Sequence, residues 1–318
     1  MSTALTVLET TLPANLGPDL AAAVDLAKAE KVFSTRKAYG TDFRLFKAWC
    51  ESKGVSSLPA SPETAAAFLA AEARTAKPST LGRRLAAIRY AHKLAHLETP
   101  TDSEAVKATL RGIRRTMGTA KVRKTPAVAA KILSMVALAP DSLTGLRDRA
   151  LLLLGFGGAF RRSELVALDV ADIEETSEGL RVTIRRGKTD QEGEGATIAI
   201  SRGDRACPVK ALRAWLDAAG IETGPVFRSI NKAGAVAGGR LTDRSVANIV
   251  KAYAKRAGFD ASVFSGHSLR SGFLTSAAAK GASIFKMMDV SRHKSVDTLR
   301  GYVRDAELFK DHAGAGLL

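Results

Sequence analysis

Residues 266–302 concentrate the chemistry of this 318-residue chain. They carry His267 and Arg270 three positions apart, then His293, then Tyr302 nine residues further on. Positions i and i+3 share a helix face, so on a helix His267 and Arg270 point into one pocket. An imidazole, a guanidinium, a second imidazole and a phenol suit an anionic, phosphate-like substrate and a tyrosine nucleophile. Tyrosine is weak in that role at neutral pH, with a pKa near ~10, and needs cations and a proton acceptor beside it. Its neighbours here are of those types.

The rest of the chain must position that stretch on its substrate. Lys+Arg number 48 against 32 Asp+Glu, a net charge of +16, and this excess points to a polyanionic partner, most often nucleic acid. The charge is uneven: residues 1–30 carry −3, residues 31–125 carry +12 and residues 126–318 carry +7. The middle segment is therefore the electrostatic grip. Cys50 and Cys207 stand far apart, without CxxC or His-rich neighbours, which argues against a disulfide framework or a structural zinc site and fits a reducing compartment. No apolar run approaches a membrane span, and the N-terminal residues lack a basic leader region, so a cytoplasmic protein is expected.

Residues 1–30 read as a loose tail with at most a short helix over 19–29. Helical periodicity begins at Ser34, with Tyr39, Phe43, Phe46 and Trp49 recurring at three or four positions. Ser61-Pro62-Glu63 has the form of a helix start. Two further helices are expected over 79–95 and 104–117, both strewn with Arg and Lys, which makes residues 31–117 a basic helical module suited to nucleic-acid contact. Residues 118–126, GTAKVRKTP, have no apolar face and read as a linker. Beyond it helices are expected over 126–137, 146–155, 161–168, 208–219, 243–257, 268–280, 283–290 and 295–304. Two β-like runs, 180–185 and 196–200, flank GKTDQEGEG.

Four separated fragments now line up: GAFRRSELVAL around Arg161 and Glu164, GKTD with Lys188, HSLR with His267 and Arg270, and RHKSVDTLRGY with His293 and Tyr302. In this order and spacing they resemble the tyrosine recombinases of the phage-integrase family, and the helical module and linker resemble the arm of its simple two-domain members. One fragment alone is weak, because H-x-x-R arises often by chance. The resemblance implies a mainly α fold with a small antiparallel β-sheet. It would comprise an N-terminal helical, SAM-like core-binding domain over 31–117 and a mixed α/β catalytic domain over 127–304, forming a C-shaped clamp around duplex DNA.

The resemblance also implies roles. Tyr302 would attack the scissile phosphodiester, giving a 3′-phosphotyrosyl link and a free 5′-hydroxyl without metal, ATP or other cofactor. Arg161 and Arg270 would bind the non-bridging oxygens, which guanidinium forks match in a way lysine cannot. Lys188 would protonate the leaving 5′-oxygen, His267 would take or relay the tyrosine proton, and His293 would hydrogen-bond a phosphate oxygen. Glu164 would orient a catalytic arginine or histidine. Each has a plainer alternative: a tyrosine packed on a helix face, a solvated loop lysine, histidines that only cap a helix, a first-turn acid favoured by the helix dipole.

Two departures stand out. The common family text reads close to H-x-L-R-H and G-H-x-S, whereas here Ser271 follows Arg270 and Arg292 precedes His293; both are taken as backbone-shaping or packing changes. Arg244 and Lys251, with Lys255 nearby, are the DNA-contact residues expected in the second domain, and Lys37, Arg83 and Arg84 those in the first. The tail, residues 305–318, would dock on a neighbouring protomer. The implied partners are double-stranded DNA with an inverted-repeat recombination site and further copies of the chain, a dimer per site and a tetramer at synapsis, with no membrane. The competing readings are a DNA-binding protein that has lost cleavage and a type IB topoisomerase-like relaxing enzyme.

Overall fold

A computed structural model of the chain describes residues 30–119, 124–187 and 194–306, with positions 19, 22, 23, 26, 314 and 315 beside them. It divides into two compact units, Met1–Val122 and Arg123–Leu318.

Four helices of the first unit, α1 (Phe33–Ser52), α2 (Pro62–Glu72), α3 (Pro78–Leu94) and α4 (Glu104–Met117), enclose one core. Phe46, Phe68, Leu69, Leu81 and Ile88 are fully buried in it, and Phe46 and Phe68 meet edge to face at 5.0 Å. Local chemistry sets the boundaries. Ser61 Oγ accepts from Thr64 N–H with Pro62 in the first turn of α2, and Ser103 Oγ accepts from Val106 N–H to open α4. Gly54, at φ +66°, lies just past the end of α1.

The second unit begins with α5 (Ala129–Ala137), α6 (Leu143–Gly157) and α7 (Arg162–Ala167). The helix expected from residue 126 starts at Ala129 because the preceding chain is otherwise engaged: Ala127 N–H donates to Ser268 O at 2.9 Å. In α6, Ala150, Leu151, Leu152 and Leu154 are all buried, so the second half of this helix is wrapped by protein on every side. Strands β1 (Ile173–Glu175), β2 (Gly179–Ile184) and β3 (Ala196–Ser201) form an antiparallel sheet in that order, with Ile173 opposite Val182 and Val182 opposite Ile198. After α8 (Pro208–Ala219) comes a ribbon of β4 (Arg228–Ile230) and β5 (Val236–Arg240), then α9 (Asp243–Arg256), α10 (His267–Ala279), α11 (Ile284–Ser291) and α12 (Val296–Ala306). Trp215 of α8 is fully buried and donates through Nε1 to Val226 O at 2.8 Å, tying that helix to the chain entering the ribbon.

The expected class, mainly helical with a small antiparallel sheet, is the one the chain adopts. Strand β1 and the β4–β5 ribbon were not expected: three residues, IEE, and a Gly-containing VAGGR carry too little alternation to stand out. Cys50 and Cys207 are free thiols. No helix among the described residues is long and apolar enough to cross a membrane. Residues 120–123 of the proposed linker, the N-terminal tail apart from the positions above, and the C-terminal tail from residue 307, Gly314 and Ala315 excepted, fall outside the description.

Candidate active site

Four helix ends of the second unit, with one side chain of α12, build the site. Helix α6 stops at Gly157, and the turn through Gly158 and Ala159, the latter at φ +45°, delivers Arg161 to the N-cap of α7. Close packing holds this corner. A Cβ on Gly155 would lie 2.6 Å from Leu269 Cδ1 and 3.0 Å from Leu165 Cδ2, so α6 seats against α7 and α10 only as glycine.

Glu164, with a side chain 1% exposed, locks Arg161. Its Oε2 accepts from Arg161 N–H at 2.9 Å and its Oε1 from Arg161 Nη1 at 2.6 Å. Burial alone would raise this carboxyl; the charge of Arg292 and the hydrogen bonds from Arg161 outweigh it and hold the group below the usual glutamate range.

His267 and Arg270 occupy the first turn of α10. Arg270 is 1% exposed, and its Nη1 donates to Ala159 O at 2.8 Å. Desolvation and the charges of Arg161 and Arg292 push its pKa down to about 9. A guanidinium does not give up its proton near neutrality, so that depression means the site is short of negative charge. Tyr302 in its ionised form would favour the Arg270 charge, which places the phenol within electrostatic reach of that guanidinium. Tyr302 is half-buried on α12, its ring against the small cluster of Leu274, Ala278, Met287 and Leu299.

His293 follows the last turn of α11. Ser291 Oγ gives its proton to Met287 O at 2.6 Å, so towards His293 Nδ1, 2.8 Å away, it acts as acceptor. This places the imidazole proton on Nδ1 and leaves Nε2 to accept from Arg270 Nη2 at 3.2 Å. Desolvation and the charges of Arg270, Arg161, His267 and Arg292 take the His293 pKa down to about 4. The His267 residue is exposed as a whole, yet its ring is partly desolvated and faces Arg270, Arg161 and Arg162, and its pKa is lowered for those reasons. Both rings are thus neutral at pH 7 in the DNA-free protein.

Arg161, Glu164, Arg292, His293 and Lys294 line one cavity of about 200 Å³, together with Gly187 and Ala196 at the two ends of the β2–β3 connection. Lys188 itself lies outside the described residues. The arrangement can hold a monoanion among guanidiniums, present a phenol to it and accept the phenol's proton on a neutral imidazole.

Arg244, Lys251 and Lys255 are exposed on α9, whose other face buries Val246, Ile249, Val250 and Tyr253. In the first unit Lys37 is exposed. Arg83, its side chain 51% exposed, is bidentate to the buried Asp42 carboxylate at 2.6 and 3.0 Å. Arg84 is turned inward, 13% exposed and paired with Glu72. Sequence reasoning had no sign of these acidic partners, nor of Ser291 and the Ala159 carbonyl as orienting groups, since none has a motif spacing.

Comparison with known proteins bears on the same region. A model of the phage integrase family matches residues 125–308. The integrase/recombinase xerD homolog of Selenomonas ruminantium is 41% identical over 289 residues, covering 89% of this chain and 85% of that one. Recombinase cre of Escherichia phage P1 is 26% identical over 89% of this chain and 88% of its own. Among solved structures, a lambda integrase dimer bound to a COC′ core site matches with a TM-score of 0.60 at 16% identity, over 95% of this chain and 84% of that one, a likeness of fold.

Proposed function

Because the chain belongs to the phage integrase family of tyrosine recombinases, enzymes that break and rejoin DNA, we propose that it performs site-specific recombination through a covalent link between Tyr302 and the 3′-phosphate of a cut strand. The observation that carries the reading is the Arg161–Arg270–His267–His293 cluster, short of negative charge, within electrostatic reach of Tyr302.

In this reading the phosphodiester supplies the missing anion. Arg161 and Arg270, aimed in advance by Glu164 and Ala159 O, take the non-bridging oxygens and stabilise the charge that grows on the pentacoordinate phosphorus. The Tyr302 Oη–P bond forms as the P–O5′ bond breaks. The phenolic proton passes to His267, which is neutral and so able to take it. Lys188 protonates the departing 5′-oxygen, and its neighbour Gly187 lines the cavity of Arg161 and His293. His293 hydrogen-bonds a phosphate oxygen through Nε2 once Arg270 turns to the substrate and the bound anion favours a proton on that nitrogen. The phosphotyrosyl ester keeps the energy of the original bond, so a second 5′-hydroxyl reverses the step without ATP, and guanidiniums stand where a metal ion would otherwise neutralise charge.

The same reading assigns residues 31–117 as the core-binding domain, 118–126 as linker and 127–304 as the catalytic domain. Exposed Lys37, Arg244 and Lys251 serve as backbone or groove contacts, and so does Arg83. The substrate is duplex DNA carrying an inverted-repeat site, bound by a dimer and synapsed as a tetramer, with residues 305–318 reaching a neighbouring protomer.

Covalent trapping tests it. The protein is incubated in EDTA with supercoiled plasmid bearing its own flanking genomic DNA and quenched with SDS. A protein–DNA adduct from the wild type that is absent from Tyr302→Phe is expected, and sequencing its ends locates the site. An adduct that persists in Tyr302→Phe would overturn the nucleophile; salt-sensitive binding without any adduct would favour a cleavage-inactive binding protein.

A further inference from the structure

Arg292 was expected as a backbone-shaping or packing change beside His293, not as a reactive group. Its surroundings give that packing a specific target. The residue caps α11 in the left-handed conformation, φ +58° and ψ +40°, where glycine is the unstrained choice. Its side chain is 12% exposed, lies 5.4 Å over the Phe160 ring, and leaves Nε buried with no hydrogen-bond partner among the described residues. A left-handed arginine with an unmet buried N–H is costly on both counts. Strain of this kind persists where a site depends on it.

What the guanidinium reaches explains it. Nη2 donates to Glu164 Oε2 at 2.7 Å, the same oxygen that accepts the Arg161 backbone N–H, and its second contact is Ala159 O at 3.4 Å. Nη1 donates to Gly158 O at 3.2 Å and Val290 O at 2.5 Å. Glu164 is the group that aims Arg161, and Ala159 O is the group that aims Arg270.

We infer that Arg292 is a positioning residue of the cleavage site: one side chain joins the carboxylate that holds Arg161 to the turn that holds Arg270, and so fixes the spacing of the two phosphate-binding arginines. The inference rests on the recombinase reading above. Because Arg292 spans both arms, its loss lets Arg161 and Arg270 drift independently, which weakens their fit to the pentacoordinate phosphate more than to the ground-state phosphodiester. A lysine in its place keeps the charge and cannot fork between two acceptors.

Arg292→Gly separates this from a backbone role, since glycine relieves the φ strain while removing the bridge. The measurements are the first-order rate of adduct formation at saturating protein on the same flanking-DNA plasmid, the DNA affinity and the melting temperature. The expected result, measured well below the variant's melting temperature, is a rate lower by about 10–100-fold with affinity unchanged. Arg292→Lys should also be slow, and Glu164→Gln combined with Arg292→Gly should be no slower than the slower single variant, because both cut one network. Arg292→Gly cleaving at the wild-type rate would overturn the inference, as would a rate loss that tracks weakened binding or unfolding at the assay temperature, or defects that multiply in the double variant. In each of those cases the wild-type adduct still stands and the recombinase reading survives. No adduct from the wild type overturns both.

Discussion

Acidification from pH 7 to pH 5 should destabilise the second unit, free of DNA, through His293. Desolvation, followed by the charges of Arg270, Arg161, His267 and Arg292, sets its native pKa at about 4, while in the unfolded chain a histidine titrates near ~6.5. Above that unfolded value neither state holds the proton and the group contributes nothing. Between about 6.5 and about 4 the unfolded chain binds a proton that the native site refuses, so stability falls as the pH falls; below about 4 both states are protonated and the loss levels off. The proton-binding difference at pH 5 amounts to about 2 kcal/mol, which solvent around a half-buried ring trims to roughly 1–2 kcal/mol. Urea unfolding at pH 7, 6 and 5, followed by Trp215 fluorescence in a Trp49→Phe background, measures it. His293→Gln is the reference, because an amide can still donate to Ser291 and accept from Arg270 yet does not titrate. His267 titrates in both proteins and drops out of the difference. The wild type should lose about 1–2 kcal/mol more than His293→Gln between pH 7 and pH 5. Inorganic phosphate should shrink that gap, since an anion among the guanidiniums restores proton affinity to the ring. Parallel stability curves for the two proteins would refute the reasoning.

The remaining predictions concern the scaffold and the DNA grip. In Gly272→Ala the new Cβ would lie 2.0 Å from Ala127 O and 2.3 Å from Ala127 C, backbone that cannot rotate aside. The variant should lose about 1–3 kcal/mol by thermal or urea unfolding, and an unchanged melting temperature would show that α10 is not seated as described. Arg84→Ala, which strands Glu72, should cost about 1–2 kcal/mol in stability. Lys37→Ala should leave stability within about 0.5 kcal/mol. It should lower DNA affinity and reduce the slope of log K against log salt by about 1, and an unaltered salt slope would remove Lys37 from the interface.

Much about this protein is local and can be read without coordinates. The apolar spacing of Phe43, Phe46 and Trp49, the Ser61-Pro62 and Ser103 starts and the i, i+3 placement of His267 and Arg270 follow from helix periodicity and capping. The +12 charge over residues 31–125 and the order of the Arg161, Lys188, His267–Arg270 and His293–Tyr302 fragments are properties of the string itself. Tertiary packing decided the rest. Whether Arg83 and Arg84 face solvent depends on Asp42 and Glu72, carboxylates on two other helices. Strands as short as β1 and β4 exist because neighbours supply their hydrogen bonds. The partners of two buried arginines are remote in the chain: Arg270 meets an Ala159 carbonyl 111 residues away and Arg292 a Glu164 carboxylate 128 residues away. Periodicity reports only which face of a helix a side chain occupies. Its hydrogen-bond partner is settled when separate elements are packed together, because a buried guanidinium must meet its acceptors wherever the fold brings them.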